Sequence, residues 1–281
     1  MLKRTFFNVK AAVTLALCFM IIFFFCGCAM NTESGSTDNS SQLTDTDVQI
    51  IAMSSDATDS SYQVVATLPS TSFSSINQML EDKIAQEWKT YDGMTEEAKM
   101  LSSHLWGFVY FETDTWKEFE EAIGFSANNP LEALSWLNKT GYIGMESAYP
   151  STPIKHIEVT ANTANAERKL SEISATSEYN TESARITLTA TLTSNAGTYT
   201  TGCAYNGYAT YEQNTTITGS GIPVLTVITN GTNNTGYYEG NYYDPTAYWV
   251  KDNVFYTLHV FGNATDKTDI QATFDRILAG I

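Results

Sequence analysis

The side chains that could do chemistry are scattered along this chain. Histidine is a common metal ligand and the usual general base near neutral pH, and the chain carries His104, His156 and His259. None lies in an HxH or HExxH spacing, so a metal would need ligands gathered from distant segments. Calcium needs only oxygens. Asp56 with Asp59, or Asp266 with Asp269, could supply some, but neither pair fits the D-x-[DN]-x-[DN]-G loop, and helix capping explains the second pair as well. A serine nucleophile needs an activating base and a tight turn. The sequence has no G-x-S-x-G and no S-x-x-K, and Gly219-Ser220-Gly221 reads as a hairpin turn. There is no phosphate-cradling loop and no dinucleotide fingerprint, and no cofactor is implied.

Two weaker patterns stay open. A glycosidase would place two carboxylates across a cleft, and Glu118, Glu120, Glu121 and Asp244 are candidates because acids are plentiful. Such a hydrolase, assembled from distant residues, leaves no local motif. The second pattern is tyrosine, dense between Tyr199 and Tyr256. Rings with a polar tip can stack on sugars or fill an interface, and they also suit partly wet strands. A ligand surface on the Gly/Asn-rich loop would use Tyr237, Tyr238, Tyr242, Tyr243 and Trp249.

The N-terminus is more specific. Lys3, Arg4 and Lys10 precede an apolar run over 11–25, and Gly27-Cys28 follows. This order matches a secretory signal and resembles the lipobox of bacterial lipoproteins. That resemblance implies diacylation of Cys28, removal of residues 1–27, and attachment to the cell membrane facing the extracytoplasmic side. Phe25 stands where that family usually has Leu. An uncleaved transmembrane anchor is the alternative, since residues 11–28 are just long enough to span a bilayer. Without 1–27 the chain has 12 basic and 31 acidic residues, a balance of −19. That balance disfavours nucleic acid as a partner. Cys18 and Cys26 leave with the signal and Cys28 would be acylated. Cys203 then stands alone, so stability must come from packing.

The elements that would position these residues change character along the chain. Residues 28–61 read as a flexible tether, Ser/Thr/Asn/Asp-rich over 29–47, although Val48–Met53 could be a short strand or a docked peptide. Residues 62–281 read as one α+β domain. Over 72–90, Phe73, Ile76, Met79, Leu80, Ile84 and Trp88 share a helix face that Asp92-Gly93 ends, and Thr95 caps a short second helix. Leu105–Phe111 reads as a buried strand. Thr115 with Glu118 forms a capping box closed by Gly124, and Asn129-Pro130 starts a helix ended by Gly141.

Beyond residue 150 the period is two. Strands are expected around Ile154–Val159, at 184–194 with Ile186, Leu188, Ala190 and Leu192 inward and the intervening threonines in water, and at 199–212, 223–229, 246–251 and 254–261. The last two form a hairpin through Lys251-Asp252-Asn253. A helix capped by Thr268 and Gln271 buries Ile270, Phe274, Ile277 and Leu278.

The closing pattern, Ala247-Tyr248-Trp249-Val250-Lys251-Asp252-Asn253-Val254-Phe255-Tyr256-Thr257-Leu258, a loop, and Asp269-Ile270 to Ile277-Leu278, resembles uncharacterised lipoproteins of low-GC Gram-positive bacteria. Trp116–Gly124 is similar to a helix of that group. Asn253 replaces the group's turn glycine, and the Tyr-rich segment is outside its pattern. The resemblance implies an α+β extracytoplasmic domain and brings no catalytic residues. The expectation is therefore N-terminal helices packed on an antiparallel sheet built mainly from the C-terminal half and closed by a C-terminal helix. Its function would be non-enzymatic: a lipid-anchored protein that binds an envelope or extracellular ligand, such as an envelope protein or a glycan, or acts in envelope sensing or assembly. A Tyr-loop carbohydrate binder is the first alternative and the scattered-carboxylate hydrolase the second.

Overall fold

The computed structural model describes residues 48–53, 60–68, 78–102, 104, 107–112, 115–137, 156–162, 168–193, 197–205, 209–234 and 239–281. The signal segment, Cys28, Gly141, Tyr237 and Tyr238 lie outside them. Strands β1 (Val48–Met53), β2 (Ser60–Leu68) and β7 (Gly197–Tyr205) form a small antiparallel sheet in the order β1-β2-β7. The large sheet contains β3 (Phe108–Glu112), β4 (His156–Asn162), β5 (Lys169–Asn180), β6 (Arg185–Thr193), β8 (Ala209–Ile217), β9 (Pro223–Asn234), β10 (Glu239–Lys251) and β11 (Val254–Asn263). Its order is β3-β4-β5-β6-β11-β10-β9-β8, two antiparallel meanders joined where β6 pairs with β11. The helices are α1 (Gln78–Asp92), α2 (Glu96–Met100), α3 (Trp116–Ile123) and α4 (Lys267–Gly280). Among the described residues, no helix is long and apolar enough to cross a membrane.

Alternation along the strands sorts the core. Ile186, Leu188, Ala190 and Leu192 of β6 are fully buried, as are Val254, Leu258 and Val260 of β11. They join Trp88 of α1, Trp116 and Phe119 of α3, and Ile270, Phe274, Ile277 and Leu278 of α4 in one cluster. Each such side chain removed from water contributes on the order of 2 kcal/mol. The C-terminal helix therefore covers the Val254–Tyr256–Leu258 face of β11. The opposite face holds Leu225, Val227, Tyr248, Val250 and Phe255, which pack on Val64, Ala66 and Leu68 of β2.

This second layer corrects the expected wet face of β6. Thr191, directly opposite Phe255, is buried, and Thr187 and Thr189 are half-buried, with Thr189 Oγ1 2.9 Å from Thr176 Oγ1. A threonine stripe can lie under another layer because its methyl groups pack and its hydroxyls pair with each other.

Local signals fare unevenly. Thr115 Oγ1 accepts from Glu118 N at 3.1 Å, and Gly124 ends α3 at φ 65°. Thr95 caps α2. The Asn129-Pro130 helix is instead one 3-10 turn, Pro130–Ala133, because Leu134 turns out to a non-helical ψ of 86°. Leu131 and Leu137 are still buried. The Thr268 capping box is absent: β11 runs through Asn263, whose Oδ1 caps a 3-10 turn at Thr265 N (3.0 Å), and α4 continues from that turn at Lys267.

The single strand expected at 199–212 is two strands in different sheets, β7 and β8. β5, which no sequence signal marked, is a central strand of the large sheet. Val48–Met53, inside the 28–61 stretch read as tether, is a strand paired with β2.

Candidate functional site

Strand β10 carries three of the five aromatic residues expected at a ligand surface, and all three are buried. Tyr242, Tyr243 and Trp249 are 4%, 2% and 1% exposed. Within the Gly/Asn-rich stretch before them, residues 229–234 and 239–241 are strand, paired with each other or with the rest of β10 in the β9–β10 ladder. Because β10 has a layer on each face, residues 242–250 are all buried regardless of alternation. Trp249 stacks on Tyr256 with centroids 5.1 Å apart. Tyr243 Oη donates to Gln271 Oε1 of α4 at 2.5 Å and lies under Lys267 Nζ (5.0 Å from the ring centroid), and burial pushes its phenol pKa up. Tyr242 faces the other way and stacks on Phe261 at 5.7 Å. Tyr243 thus ties β10 to α4, and Trp249 lies in the helix-side core.

The candidate carboxylates are not gathered either. Glu118 and Glu121 are exposed on α3, with Glu121 3.1 Å from Lys117. Glu120 accepts from Ser126 Oγ. Helix α3 packs on the face of the large sheet opposite Asp244, whose neighbour Tyr243 belongs to the helix-side cluster. Asp266 and Asp269 are both exposed at the start of α4. Among the described residues, no group of three or more His, Cys, Asp or Glu could hold a metal ion.

The structure does bring one histidine and one carboxylate together. Thr246 and His259 are directly opposed in the β10–β11 ladder. His259 Nδ1 lies 2.9 Å from Thr246 Oγ1 and 3.3 Å from Asp244 Oδ1. Thr246 Oγ1 donates to the same Asp244 oxygen at 3.3 Å. With that hydroxyl proton committed to the carboxylate, Thr246 Oγ1 can only accept from the ring. A proton on Nδ1 serves both contacts, since the carboxylate can only accept. Asp244 and Thr246 are 4% and 0% exposed, while the His259 side chain retains 22%.

Thr229, opposite Asp244 on β9, is fully buried, and its hydroxyl has no partner among the described residues. The arrangement orients an imidazole at the sheet surface. It is not a nucleophile relay, because the threonine and the aspartate meet the same ring nitrogen. The sequence contained a route to this pair: a two-residue turn at Asp252-Asn253 fixes the register that places 246 opposite 259.

A second cluster lies where α1 meets the start of β5. Arg168 holds Asp92 with two bonds of 2.8 and 2.9 Å and lays its guanidinium 4.3 Å above Trp88. The hydrogen bond from Arg168 keeps the Asp92 carboxyl below its usual range. His104 stacks on Tyr91, meets the edge of Trp88, and approaches Ser102 Oγ at 2.9 Å through Nδ1. Burial holds His104 below the usual imidazole range, with Glu87 opposing and Arg168 reinforcing the shift. This cluster fastens the helix layer.

Set against known proteins, the chain matched no family model, no curated protein and no solved structure.

Proposed function

We propose that this chain is a lipid-anchored extracytoplasmic protein that binds an envelope or extracellular partner without chemically transforming it. The observation that carries the reading is the signal pattern ending in Gly27-Cys28, with a Ser/Thr/Asn-rich stretch between it and the first strand. On this reading the lipid on Cys28 is the membrane attachment, and the α+β domain that follows the tether presents the binding surface. The similarity to uncharacterised lipoproteins of Gram-positive bacteria belongs to the same proposal.

Asp244 lies on the face of the large sheet opposite Glu118, Glu120 and Glu121, and His259 meets Thr246 and Asp244 through one nitrogen, which supports binding over a hydrolase built from these acids. The carbohydrate reading now rests on Tyr237 and Tyr238, since Tyr242, Tyr243 and Trp249 are buried.

Labelling cells with a fatty-acid analogue tests the anchor. The wild-type chain should incorporate label and shorten, and Cys28→Ala should do neither. Absence of label from the wild-type chain would remove the anchor. Turnover of any substrate in a broad hydrolase panel, lost on Asp244→Asn or His259→Gln, would replace binding by catalysis.

A further inference from the structure

Strand β8 ends the large sheet on one side, as β3 does on the other. β8 pairs with β9 on one side and has no second neighbour among the described residues. Residues 212–217 are exposed on both faces of the strand, so this stretch projects beyond the layers that cover β10 and β11. Ile217 is 66% exposed.

Open strand edges invite pairing, and proteins usually block them with lysine, proline, a bulge or inward charge. The segment Ala209–Ile217 has no lysine, arginine or proline. Its register with β9 runs without a shift from Ala209↔Gly231 to Ile217↔Pro223, so no bulge twists the edge away. The one charge is Glu212, which accepts from Asn214 Nδ2 at 3.2 Å and stays along the strand.

We propose that β8 pairs antiparallel with β8 of a second copy of this chain, about a two-fold axis at Asn214, joining two large sheets edge to edge. The segment is self-complementary in that register. Gln213 opposes Thr215, Glu212 opposes Thr216, and Asn214 opposes itself, which are polar pairs that can hydrogen-bond. Tyr211 opposes Ile217 on one face, an aromatic with a β-branched residue, and this covers the exposed isoleucine. The two Glu212 carboxylates are four residues apart along the ladder, about 13 Å at the rise of a strand. That exceeds the screening length of roughly 8 Å at physiological salt, so the like charges repel little. Closed two-fold pairing also consumes the edge in both copies, which leaves no templated chain growth through β8.

A contact of one strand is small beside the roughly 1,600 Å² of a standard stable interface. The dimer is therefore weak, and a trapping experiment suits it. The test is oxidative cross-linking of the full chain in membranes, with single cysteines placed along β8. Across an antiparallel pair, opposed Cβ atoms are about 5 Å apart, within reach of a disulfide. Asn214→Cys should form a covalent dimer. A mixture of Gln213→Cys and Thr215→Cys chains should form mixed dimers. Ile217→Cys should not link to itself, because the two positions would be about 20 Å apart along the ladder. The parent chain, which keeps Cys203, sets the background. The proposal is overturned if Asn214→Cys and the mixed pair give no more dimer than the parent while both still react with a maleimide. It is equally overturned if Ile217→Cys links as well as Asn214→Cys, which would indicate random collision.

Discussion

The backbone amide of Gly219 donates to the carbonyl of Leu278 at 3.0 Å, and the next amide, Ser220, donates to Ile281 O at 2.9 Å. The turn between β8 and β9 thus satisfies carbonyls at the end of α4 that no helical residue can reach. A Cβ at position 219 would stand 2.0 Å from Ala279 O and 2.9 Å from its carbonyl carbon, backbone atoms that cannot step aside. Gly219→Ala should therefore destabilise the fold by about 2 kcal/mol, the scale of overpacking. Gly221→Ala is the control. Gly221 has φ +86° with open space around it, so only backbone strain of about 1 kcal/mol applies. Denaturant midpoints should fall in the order wild type, Gly221→Ala, Gly219→Ala.

The buried histidine gives a pH dependence with a definite sign. Burial lowers the His104 pKa below its ordinary 6.5, so folding favours the neutral ring. The associated stability is full above about pH 6.5, the unfolded value, and is lost as pH falls from there through the folded pKa. His104→Gln keeps much of the shape and removes the titration. Between pH 7.5 and 5, wild-type stability should drop more than that of His104→Gln. Equal slopes for the two proteins would contradict the assignment, and Trp88 emission supplies a local reading of the same titration because its ring meets His104 edge-on.

Arg168 should resist conservative replacement. Its planar fork grips both oxygens of Asp92 while its face covers Trp88, and an ammonium can do only part of this. The pair is exposed, so its electrostatic share is small, and the loss comes mainly from the ring contact. Arg168→Lys should cost about 0.5–1 kcal/mol and Arg168→Ala slightly more. Thermal unfolding of both variants beside Asp92→Asn separates the two shares, since Asp92→Asn leaves the stacked guanidinium in place.

How these elements could be read from the residues follows from the range of their causes. β6 was legible as a strand because Ile186, Leu188, Ala190 and Leu192 alternate with threonines, which marked its helix-side face but not the layer over the threonines. β5 was not, because its helix-side positions include Ser177, held by Asn129 Nδ2 at 3.0 Å, and Ala175. A polar residue inside and Thr or Glu outside erase the contrast. The split of 197–217 into two sheets was hidden for another reason: β7 and β8 share one Tyr/Thr composition, and only the distant partners, β2 and β9, distinguish them. The aromatics of β10 were legible as strand residues but not as core, since a strand records its own alternation and not whether a second layer covers its other face. Asp244, Thr246 and His259 needed the hairpin register in addition to residue type.

The Asp244–Thr246–His259 network makes a testable energetic statement. Thr246→Val removes a fully buried hydroxyl that bridges a carboxylate and an imidazole, leaving both with one fewer partner, so a cost of about 1–3 kcal/mol is expected. His259→Leu alone removes the ring that donates to that hydroxyl. If the contact is direct, the double variant should be less damaged than the sum of the singles, with a coupling of about 1 kcal/mol. Additive effects in chemical unfolding would show that the two side chains are adjacent without interacting.

The β10–β11 turn is the place where a single change should improve the fold. Asp252 and Asn253 both occupy the left-handed region, at φ 51° and φ 67°, as a two-residue type I′ turn requires. Asparagine tolerates this conformation, and glycine adopts it without steric cost. Asn253→Gly should therefore leave the register intact and raise stability by a few tenths of a kcal/mol, the gain limited by the greater freedom of glycine in the unfolded chain. A β-branched residue has no comfortable geometry there. Asn253→Val should cost about 1–2 kcal/mol, and the damage should spread along the hairpin, because Lys251 pairs with Val254 immediately beside the turn and the same ladder carries Thr246 to His259. Hydrogen exchange of the β10 and β11 amides would reveal it: protection should fall along both strands in Asn253→Val and remain in Asn253→Gly. A valine variant as protected as the wild type would mean that the sheet, rather than the turn, sets the register of the strands holding His259.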